Sequence, residues 1–296
     1  MTYAKNEGNP VVLLVEVRDK IGTVTLNRPE ARNALSPELA AAIPEAIADL
    51  DRRDDVAAII LTGAGSAFCA GFDLKRLAAT GTSKAEGERS DDPPPYWGPF
   101  PPHRTPVIGA VNGAAVTGGF ELALGCDFLI ASERARFADT HARVGLMPGW
   151  GLTIRLPQLI GPARALQMSV TGEFVGGQRA FEWGLANEVV PHEELLPRAR
   201  AIAAQIAEIP AVYVAEVRAM YQETALLSGD AAWEHEHTRA RAWIAARFDR
   251  ARLADVRQDI VDRGRTFVAP DSATTDAATS DAATDGAATE NESRPA

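Results

Sequence analysis

The chain has 296 residues, of which 46% are hydrophobic and 24% are charged, and its formal net charge at pH 7 is -10. This hydrophobic share is typical of a globular protein and excludes disorder along the whole chain. The acidic balance argues against a nucleic-acid-binding protein, which usually presents a basic face. Two cysteines are too few for a disulfide framework and are typical of buried thiols in a reducing cytoplasm.

The longest early apolar run is too short for a signal peptide or a membrane span. It covers residues 11–15 and is interrupted by Glu16, whereas a membrane-spanning helix needs ~20 apolar residues. We therefore expect a soluble cytoplasmic protein that does not contact a membrane.

Short apolar strands predominate in the first half of the chain. Residues 11–17 and 21–26 predict a β-hairpin. Ser36 followed by Pro37 predicts the start of a helix, because serine caps helices and proline suits their first position. Further buried strands are predicted at residues 56–61, 107–111 and 128–131. Their alternation with glycine-bearing turns and helical segments is typical of βα units.

Three later segments complete the predicted organisation. Residues 80–106 contain seven prolines, which disfavour regular structure, so we expect a flexible flap there. Residues 192–267 have amphipathic helical periodicity. Residues 269–296 contain six acidic residues, one arginine and no Val, Ile, Leu, Phe, Tyr or Trp, a composition typical of disorder. The predicted parts are an α/β core over residues 1–200, a helical subdomain over 201–268 and a disordered tail over 269–296.

Two glycine-bearing turns follow predicted strands, at residues 63–75 and 112–123. Glycine allows a backbone to approach a ligand closely, and a strand-to-helix turn can point free N–H groups outward. Two such turns side by side could direct two amides at one oxygen, as an oxyanion hole does. The same glycines also fit a purely structural role. Glu121 lies near the end of the second of these segments, where it fits either a catalytic acid or a carboxylate that favours the positive end of a helix.

Several other site classes lack their sequence signatures. Gly119 stands where the lysine of a nucleotide-binding P-loop would be. No G-x-G-x-x-G joins a strand to a helix and no G-x-S-x-G is present, so neither a dinucleotide site nor a nucleophile elbow is predicted. His235 and His237 are two residues apart and do not share a helical face, which makes them a poor metal pair. No metal site is predicted.

Five groups of residues occur in a fixed order along the chain. They are Leu-Asn-Arg-Pro at 26–29 with Asn-Ala-Leu at 33–35; Phe-Cys-Ala-Gly-Phe-Asp-Leu at 68–74; Asn-Gly at 112–113 through Gly-Gly-Phe-Glu-Leu-Ala at 118–123; Cys-Asp at 126–127; and Arg-Phe-Ala-Asp at 136–139 with Val-Gly-Leu-Met-Pro-Gly at 144–149. In these residues the sequence resembles the enoyl-CoA hydratase/isomerase (crotonase) superfamily, and the resemblance covers most of residues 11–267.

The resemblance implies an α/β fold in which ββα repeats form a spiral, followed by helices that mediate formation of a homotrimer or a dimer of trimers. It implies an acyl-CoA thioester as substrate and no separate cofactor. The backbone N–H groups of Phe72 and Gly118 would form the oxyanion hole. The residues that it places along the thioester, the CoA or the acyl pocket are Arg32, Ala34, Ala70, Phe72, Asp73, Leu74, Lys75, Gly118 and Trp150. Arg32 and Lys75 fit equally well as solvated surface charges.

Hydratases of this family use two glutamates, and the resemblance places the first at Glu121. The second position falls on His141, which is a departure from the family pattern. A histidine can activate water or exchange the α-proton, but His141 also fits a structural role, and Asp139 lies close enough in sequence to replace it. The sequence predicts a hydratase of 2-enoyl-CoA with Glu121 and His141 as catalytic residues. Isomerisation or other enolate chemistry, and acyl-CoA binding without catalysis, remain open alternatives.

Overall fold

A computed structural model of the protein describes residues 2–3, 11–73, 76, 78–79 and 96–268. The predicted tail lies outside the described residues, and so does most of the predicted proline-rich flap. The described end of that flap, residues 96–106, contains no helix or strand, and the side chain of Phe100 is buried in the core.

The described strands and helices are numbered in chain order. The strands are β1 Thr2–Tyr3, β2 Leu13–Arg18, β3 Ile21–Leu26, β4 Ala58–Gly63, β5 Ala67–Cys69, β6 Val107–Val111, β7 Ala114–Val116, β8 Phe128–Ser132, β9 Arg136–Ala138, β10 Val175–Gly176 and β11 Glu188–Val190. The α-helices are α1 Pro37–Asp51, α2 Gly118–Gly125, α3 His141–Val144, α4 Leu152–Ile160, α5 Pro162–Thr171, α6 Gly177–Glu182, α7 Leu195–Ala207, α8 Ala211–Thr224, α9 Asp230–Arg247 and α10 Arg250–Val268.

The strands form two sheets through which the chain passes in successive repeats. The larger sheet has the order β1-β2-β3-β4-β6-β8-β11, and the smaller has the order β10-β9-β7-β5. Thus β4, β6 and β8 lie in the larger sheet, and each is followed by a short strand of the smaller sheet. Neighbouring repeats pair in parallel in both sheets. This arrangement is the predicted spiral of ββα repeats, and it confirms the predicted fold class.

The predicted long strands agree closely with the observed elements. β2 and β3 form the hairpin, and Asp19 and Lys20 at its turn have φ angles of 51° and 63°, as the tightest hairpin turns require. Ser36 caps α1 by accepting a hydrogen bond from the Leu39 amide at 3.3 Å. Periodicity did not predict the strands of the smaller sheet, because two or three residues are too few to establish an alternating pattern.

Helices cover both faces of the larger sheet. On one face α1 buries Leu39, Ile43 and Ile47 in the main core cluster. On the other face α7 buries Leu195 and Ala199 in a second cluster with isoleucines of β4, β6 and β8. Because the strands are buried on both faces, they read as continuous apolar runs in the sequence.

The described residues up to Ala232 form one compact unit, and those from Trp233 onward form another. Among the described residues, the second unit consists of most of α9 and the whole of α10. The domain boundaries expected at residues 200 and 268 stay a prediction. Within the described part of the chain, no helix is both long enough and apolar enough to span a membrane.

A half-buried polar cluster joins α8 to the segment that leads into β6. Arg218 on α8 donates from Nε to both carboxylate oxygens of Asp127, at 2.8 and 2.9 Å. Its Nη2 lies 2.6 Å from Nε2 of His103, and the His103 Nδ1 lies 2.8 Å from the carbonyl oxygen of Pro101. Burial, followed by the neighbouring Arg218 cation, lowers the pKa of His103. The neutral ring is therefore the form that fits this cluster.

The lowered pKa of His103 predicts a loss of stability in mild acid. Below about pH 6.5 an unfolded histidine binds a proton that the folded chain disfavours, so the free energy of unfolding falls as the pH falls. This single proton contributes at most about 1.4 kcal/mol per pH unit. His103→Gln keeps an acceptor for Arg218 and cannot titrate, so urea unfolding between about pH 7.5 and 5.5 should show a shallower pH dependence for the variant. Equal dependence in both proteins would contradict the prediction.

Candidate active site

The two glycine-bearing turns lie against each other at the carboxyl ends of β5 and β7. A Cβ atom placed on Gly119 would lie 2.1 Å from the carbonyl oxygen of Cys69. A Cβ atom on Gly71, whose φ is 87°, would lie 2.7 Å from the Val116 oxygen and 3.5 Å from the Gly118 nitrogen. Side chains at Gly71 and Gly119 would therefore force the two backbones apart. From the sequence, two turns lying side by side were one possibility, alongside a purely structural role for the glycines.

The amides of Phe72 and Gly118 donate no hydrogen bond to any residue that the structure describes. The backbone on either side of Phe72 is held, because the Leu35 amide donates to the Gly71 oxygen at 2.7 Å and the Asp73 amide donates to the Leu35 oxygen at 3.3 Å. Both amides therefore lie in adjacent, fixed turns, and their N–H groups are available to donate a hydrogen bond. Their role as an oxyanion hole stays a prediction.

Glu121 is buried in the first turn of α2, with only 2% of its surface exposed. Its Oε1 accepts hydrogen bonds from the amides of Gly149 at 3.1 Å and Trp150 at 2.6 Å, with the Leu152 amide at 3.5 Å. Burial raises the pKa of this carboxyl group, and the three amides and the nearby His141 only partly oppose the rise. Oε2 lies 3.6 Å from Nε2 of His141. One oxygen is thus fixed by backbone amides while the other faces the imidazole.

His141 lies between two carboxyl groups. Its Nδ1 is 2.6 Å from Oδ1 of Asp139, and the same oxygen accepts a hydrogen bond from the His141 amide at 3.1 Å. Burial would raise the pKa of Asp139, but hydrogen bonds from His141 and from the Ser169 side chain outweigh burial and lower it. Asp139 is therefore ionised and binds the imidazole from the side opposite Glu121.

A cavity of about 210 Å³ lies beside this group. It is lined by Phe72, Glu121, His141, Leu146, Met147, Gly149 and Trp150. The rings of Phe72 and Trp150 pack with their centroids 5.6 Å apart at an angle of 54°. The cavity thus combines apolar and aromatic walls with one carboxyl group and one imidazole. Asp139, the sequence-based alternative to His141, is not among the described residues that line it.

Among the residues predicted to bind CoA, Arg32, Ala34, Ala70 and Asp73 are described and lie in loops next to Phe72. The Ala70 amide donates to the carbonyl oxygen of Arg32 at 3.0 Å. Ala34 is buried and its oxygen accepts from Arg28, which also pairs with Asp73 at 3.5 Å. The side chain of Arg32 is exposed. Leu74 and Lys75 lie outside the described residues, and all of these CoA contacts stay predictions.

Thr117 was not predicted from the sequence to belong to the site. It has φ 54° and ψ -116°, which is strained for a β-branched residue. Its amide donates to the Ala138 oxygen at 2.9 Å, and its hydroxyl lies 2.5 Å from the hydroxyl of Thr140. It therefore connects the turn before Gly118 with the segment before His141. In the sequence, only its position directly before two glycines distinguishes Thr117 from other threonines.

The contact at Gly119 predicts that this position does not tolerate a methyl group. In Gly119→Ala the new methyl group meets a backbone oxygen, which cannot rotate away, so we expect a loss of about 1–3 kcal/mol in the free energy of unfolding. Gly149→Ala is the matched control, because no described atom beyond the chain neighbours lies within 4 Å of the added Cβ and the amide to Glu121 remains. Urea denaturation of both variants tests this, and equal stabilities would contradict it.

The hydroxyl pair of Thr117 and Thr140 is expected to behave as a coupled unit. Thr117→Val keeps the β-branched shape but leaves the Thr140 hydroxyl without this partner, which should cost about 1–2 kcal/mol. Combining it with Thr140→Val removes both hydroxyls, and the loss should then be smaller than the sum of the single losses. A double-mutant cycle measured by urea unfolding tests this coupling. Strictly additive losses would show that the two hydroxyls are independent.

The fold and the site together define a crotonase-like protein, in which a spiral of ββα repeats holds two glycine-bearing turns against each other beside a cavity that a buried carboxyl group lines. A profile described as enoyl-CoA hydratase/isomerase matches residues 16–246. The chain belongs to the enoyl-CoA hydratase/isomerase family.

Individual relatives agree with this assignment. A probable enoyl-CoA hydratase from Mycobacterium bovis is 40% identical over 199 residues, which cover 67% of this chain and 76% of the relative. A probable peroxisomal enoyl-CoA hydratase from Arabidopsis thaliana is 35% identical over 235 residues, or 78% and 87% of the two chains. The crystal structure of an enoyl-CoA hydratase from Mycobacterium smegmatis is 46% identical with a TM-score of 0.65, and the match covers 80% of this chain and all of that one.

Proposed function

We propose that the protein adds water across the C2–C3 double bond of a 2-enoyl-CoA thioester. Its relatives are named as enoyl-CoA hydratases, and the chain is an enoyl-CoA hydratase-like enzyme of the lyase class. The single observation that supports the reaction most strongly is the pair formed by Glu121 and His141. A buried carboxyl group and an imidazole 3.6 Å apart line one cavity, where they can exchange protons with a bound substrate.

The oxyanion hole of the proposed reaction consists of the Phe72 and Gly118 amides. The thioester oxygen would accept hydrogen bonds from both amides, which strengthen as negative charge moves onto that oxygen in the enolate. Because the turns are held by neighbouring backbone, the donors need no reorganisation when the charge develops. Neither amide donates a hydrogen bond to a described residue, which supports this role.

Glu121 and His141 handle the protons in the proposed reaction. The pair takes one proton from water as the water oxygen bonds to C3, and the C2–C3 electrons move toward the thioester. The enolate then collapses as the pair delivers a proton to C2, so that water is added in full and the pair returns to its starting protonation state. Trp150 and Phe72 would bound the acyl group and exclude bulk water from the reacting atoms.

The position of His141 argues against acyl-CoA binding without catalysis. That alternative would gain support from an imidazole directed away from the cavity, whereas His141 is one of the residues that line it. A pure binding site would have no use for two titratable groups buried at a desolvation cost. No observation favours isomerisation over hydration.

Assembly and location belong to the same proposal. We infer a homotrimer or a dimer of trimers from the family resemblance, with acyl-CoA as the small-molecule partner and neither nucleic acid nor a membrane as a further partner. We also infer a cytoplasmic location, although the Arabidopsis relative is named as peroxisomal. Light scattering of the purified protein measures the subunit number directly.

Glu121→Gln tests the proposed function. The amide cannot exchange a proton, so kcat for hydration of crotonyl-CoA should fall by about 10²- to 10⁴-fold. The raised pKa of Glu121 means that ionisation weakens the folded state as the pH rises through that pKa. Therefore the variant should lose less stability than the wild type as the pH rises. Loss of enoyl-thioester absorbance measures the rate, and thermal unfolding measures stability.

The matched control is Glu182→Gln, which makes the same chemical change on an exposed side chain of α6. It should leave kcat unchanged. Equal hydration rates for the wild type and Glu121→Gln would remove Glu121 from the mechanism. A wild type without hydratase activity on short and long enoyl-CoA substrates would overturn the proposed function itself.

A further inference from the structure

Asp139 has a buried carboxylate that the mechanism above does not use. It is 1% exposed, and it is absent from the cavity lining. Burying a carboxylate is unfavourable unless hydrogen bonds compensate, and in this protein the compensation comes from His141 and Ser169. The carboxylate thus contacts a residue of the proposed proton-exchanging pair without reaching the substrate.

The hydrogen bonds of Asp139 determine where His141 carries its proton. An ionised carboxylate can only accept hydrogen bonds. Because Oδ1 of Asp139 lies 2.6 Å from Nδ1 of His141, this nitrogen must carry a hydrogen. In the neutral ring the other nitrogen, Nε2, then has the free lone pair. Nε2 is also the atom that lies 3.6 Å from Oε2 of Glu121.

We propose that Asp139 is a positioning residue that holds His141 in its Nδ1–H tautomer, with Nε2 directed at Glu121 and the substrate. The proposal rests on the proposed function and deepens it. In the reaction Nε2 accepts a proton and later releases it, while the Nδ1–H stays bonded to Asp139. The carboxylate also stabilises the ring in the step at which both nitrogens carry hydrogen, as in other Asp–His pairs.

The surroundings of His141 support an exclusive role for this carboxylate. Among the described residues, the ionisable groups that face the ring are Asp139 on one side and Glu121 on the other. The other described residues that line the cavity are uncharged. Ser169 on α5 also hydrogen-bonds to Asp139 and contributes, after His141, to the lowering of its pKa. An imidazole with one side held in this way occupies the position where the family resemblance places a second glutamate.

The replacement has a chemical consequence for the site. A glutamate offers two equivalent oxygens on a flexible stem, whereas this imidazole offers a single lone pair whose direction is set by a second residue. His141 without Asp139 can adopt either tautomer, and only one of them places the lone pair toward Glu121. Asp139→Asn should therefore reduce kcat by about 10²-fold or more, while KM for crotonyl-CoA changes less than about threefold, since Asp139 does not line the cavity.

The experiment combines kinetics with nitrogen NMR of the imidazole rings. The chain has five histidines, and His141→Gln identifies which pair of ring signals belongs to His141. We expect a protonated Nδ1 in the neutral wild-type ring and a mixed or reversed tautomer in Asp139→Asn. Ser169→Ala is the matched control, because it removes one hydrogen bond to Asp139 and leaves the His141 contact intact. Its kcat should fall by less than about tenfold.

The outcomes separate this inference from the hydratase assignment. A neutral wild-type His141 protonated at Nε2 overturns the inference, and this measurement needs no variant to fold. An unchanged tautomer in Asp139→Asn, or a kcat within about threefold of the wild type, also overturns it. Partial recovery of kcat in Asp139→Glu supports it. Should the wild type show the Nδ1–H tautomer and no hydratase activity, the pairing of Asp139 with His141 would be supported and the hydratase assignment would fail.

Discussion

The arrangement of the site depends on the hydrogen bonds that one buried carboxyl group accepts. Three backbone amides of residues 149–152 converge on Oε1 of Glu121, and without them the cost of burying this group would oppose folding. The same bonds attach the loop before α4 to α2 and thereby bring Trp150 against Phe72. The same hydrogen bonds consequently set both the position of the cavity wall and the orientation of the carboxyl group. The second oxygen remains for His141, which Asp139 holds from behind.

One strained backbone conformation lies directly beside this site, at Thr117. Thr117 has an unfavourable φ directly before Gly118, and such a conformation costs of order 1–3 kcal/mol unless the surroundings impose it. Here the small sheet imposes it, because the Thr117 amide is bonded to β9 and its hydroxyl to Thr140. The strained conformation sets the direction of the next amide, that of Gly118, which the proposed mechanism uses as a hydrogen-bond donor to the substrate. A relaxed turn would leave that donor free to rotate away from the substrate oxygen.

Sequence patterns predicted the larger sheet well and the smaller sheet poorly. β4, β6 and β8 are continuous apolar runs bounded by turns, so they were visible in the sequence, and Ser36 predicted the start of α1. β5, β7 and β9 have three residues each, and their pairing depends on partners that are about twenty or more residues away. Glu121 and His141 were identified by the family resemblance, since neither has a local pattern that separates a catalytic residue from a structural one.

The sequence by itself determined the alternation of buried strands and glycine turns, the family and the residue types available for chemistry, because these depend on composition and local spacing. The tertiary structure alone decided which groups meet. It brought residues 149–152 to the carboxyl group of Glu121, closed the two glycine turns onto each other and paired Asp139 with His141 instead of exposing it to the cavity. Such contacts depend on distances between separate repeats of the spiral, which only the packing of the two sheets defines.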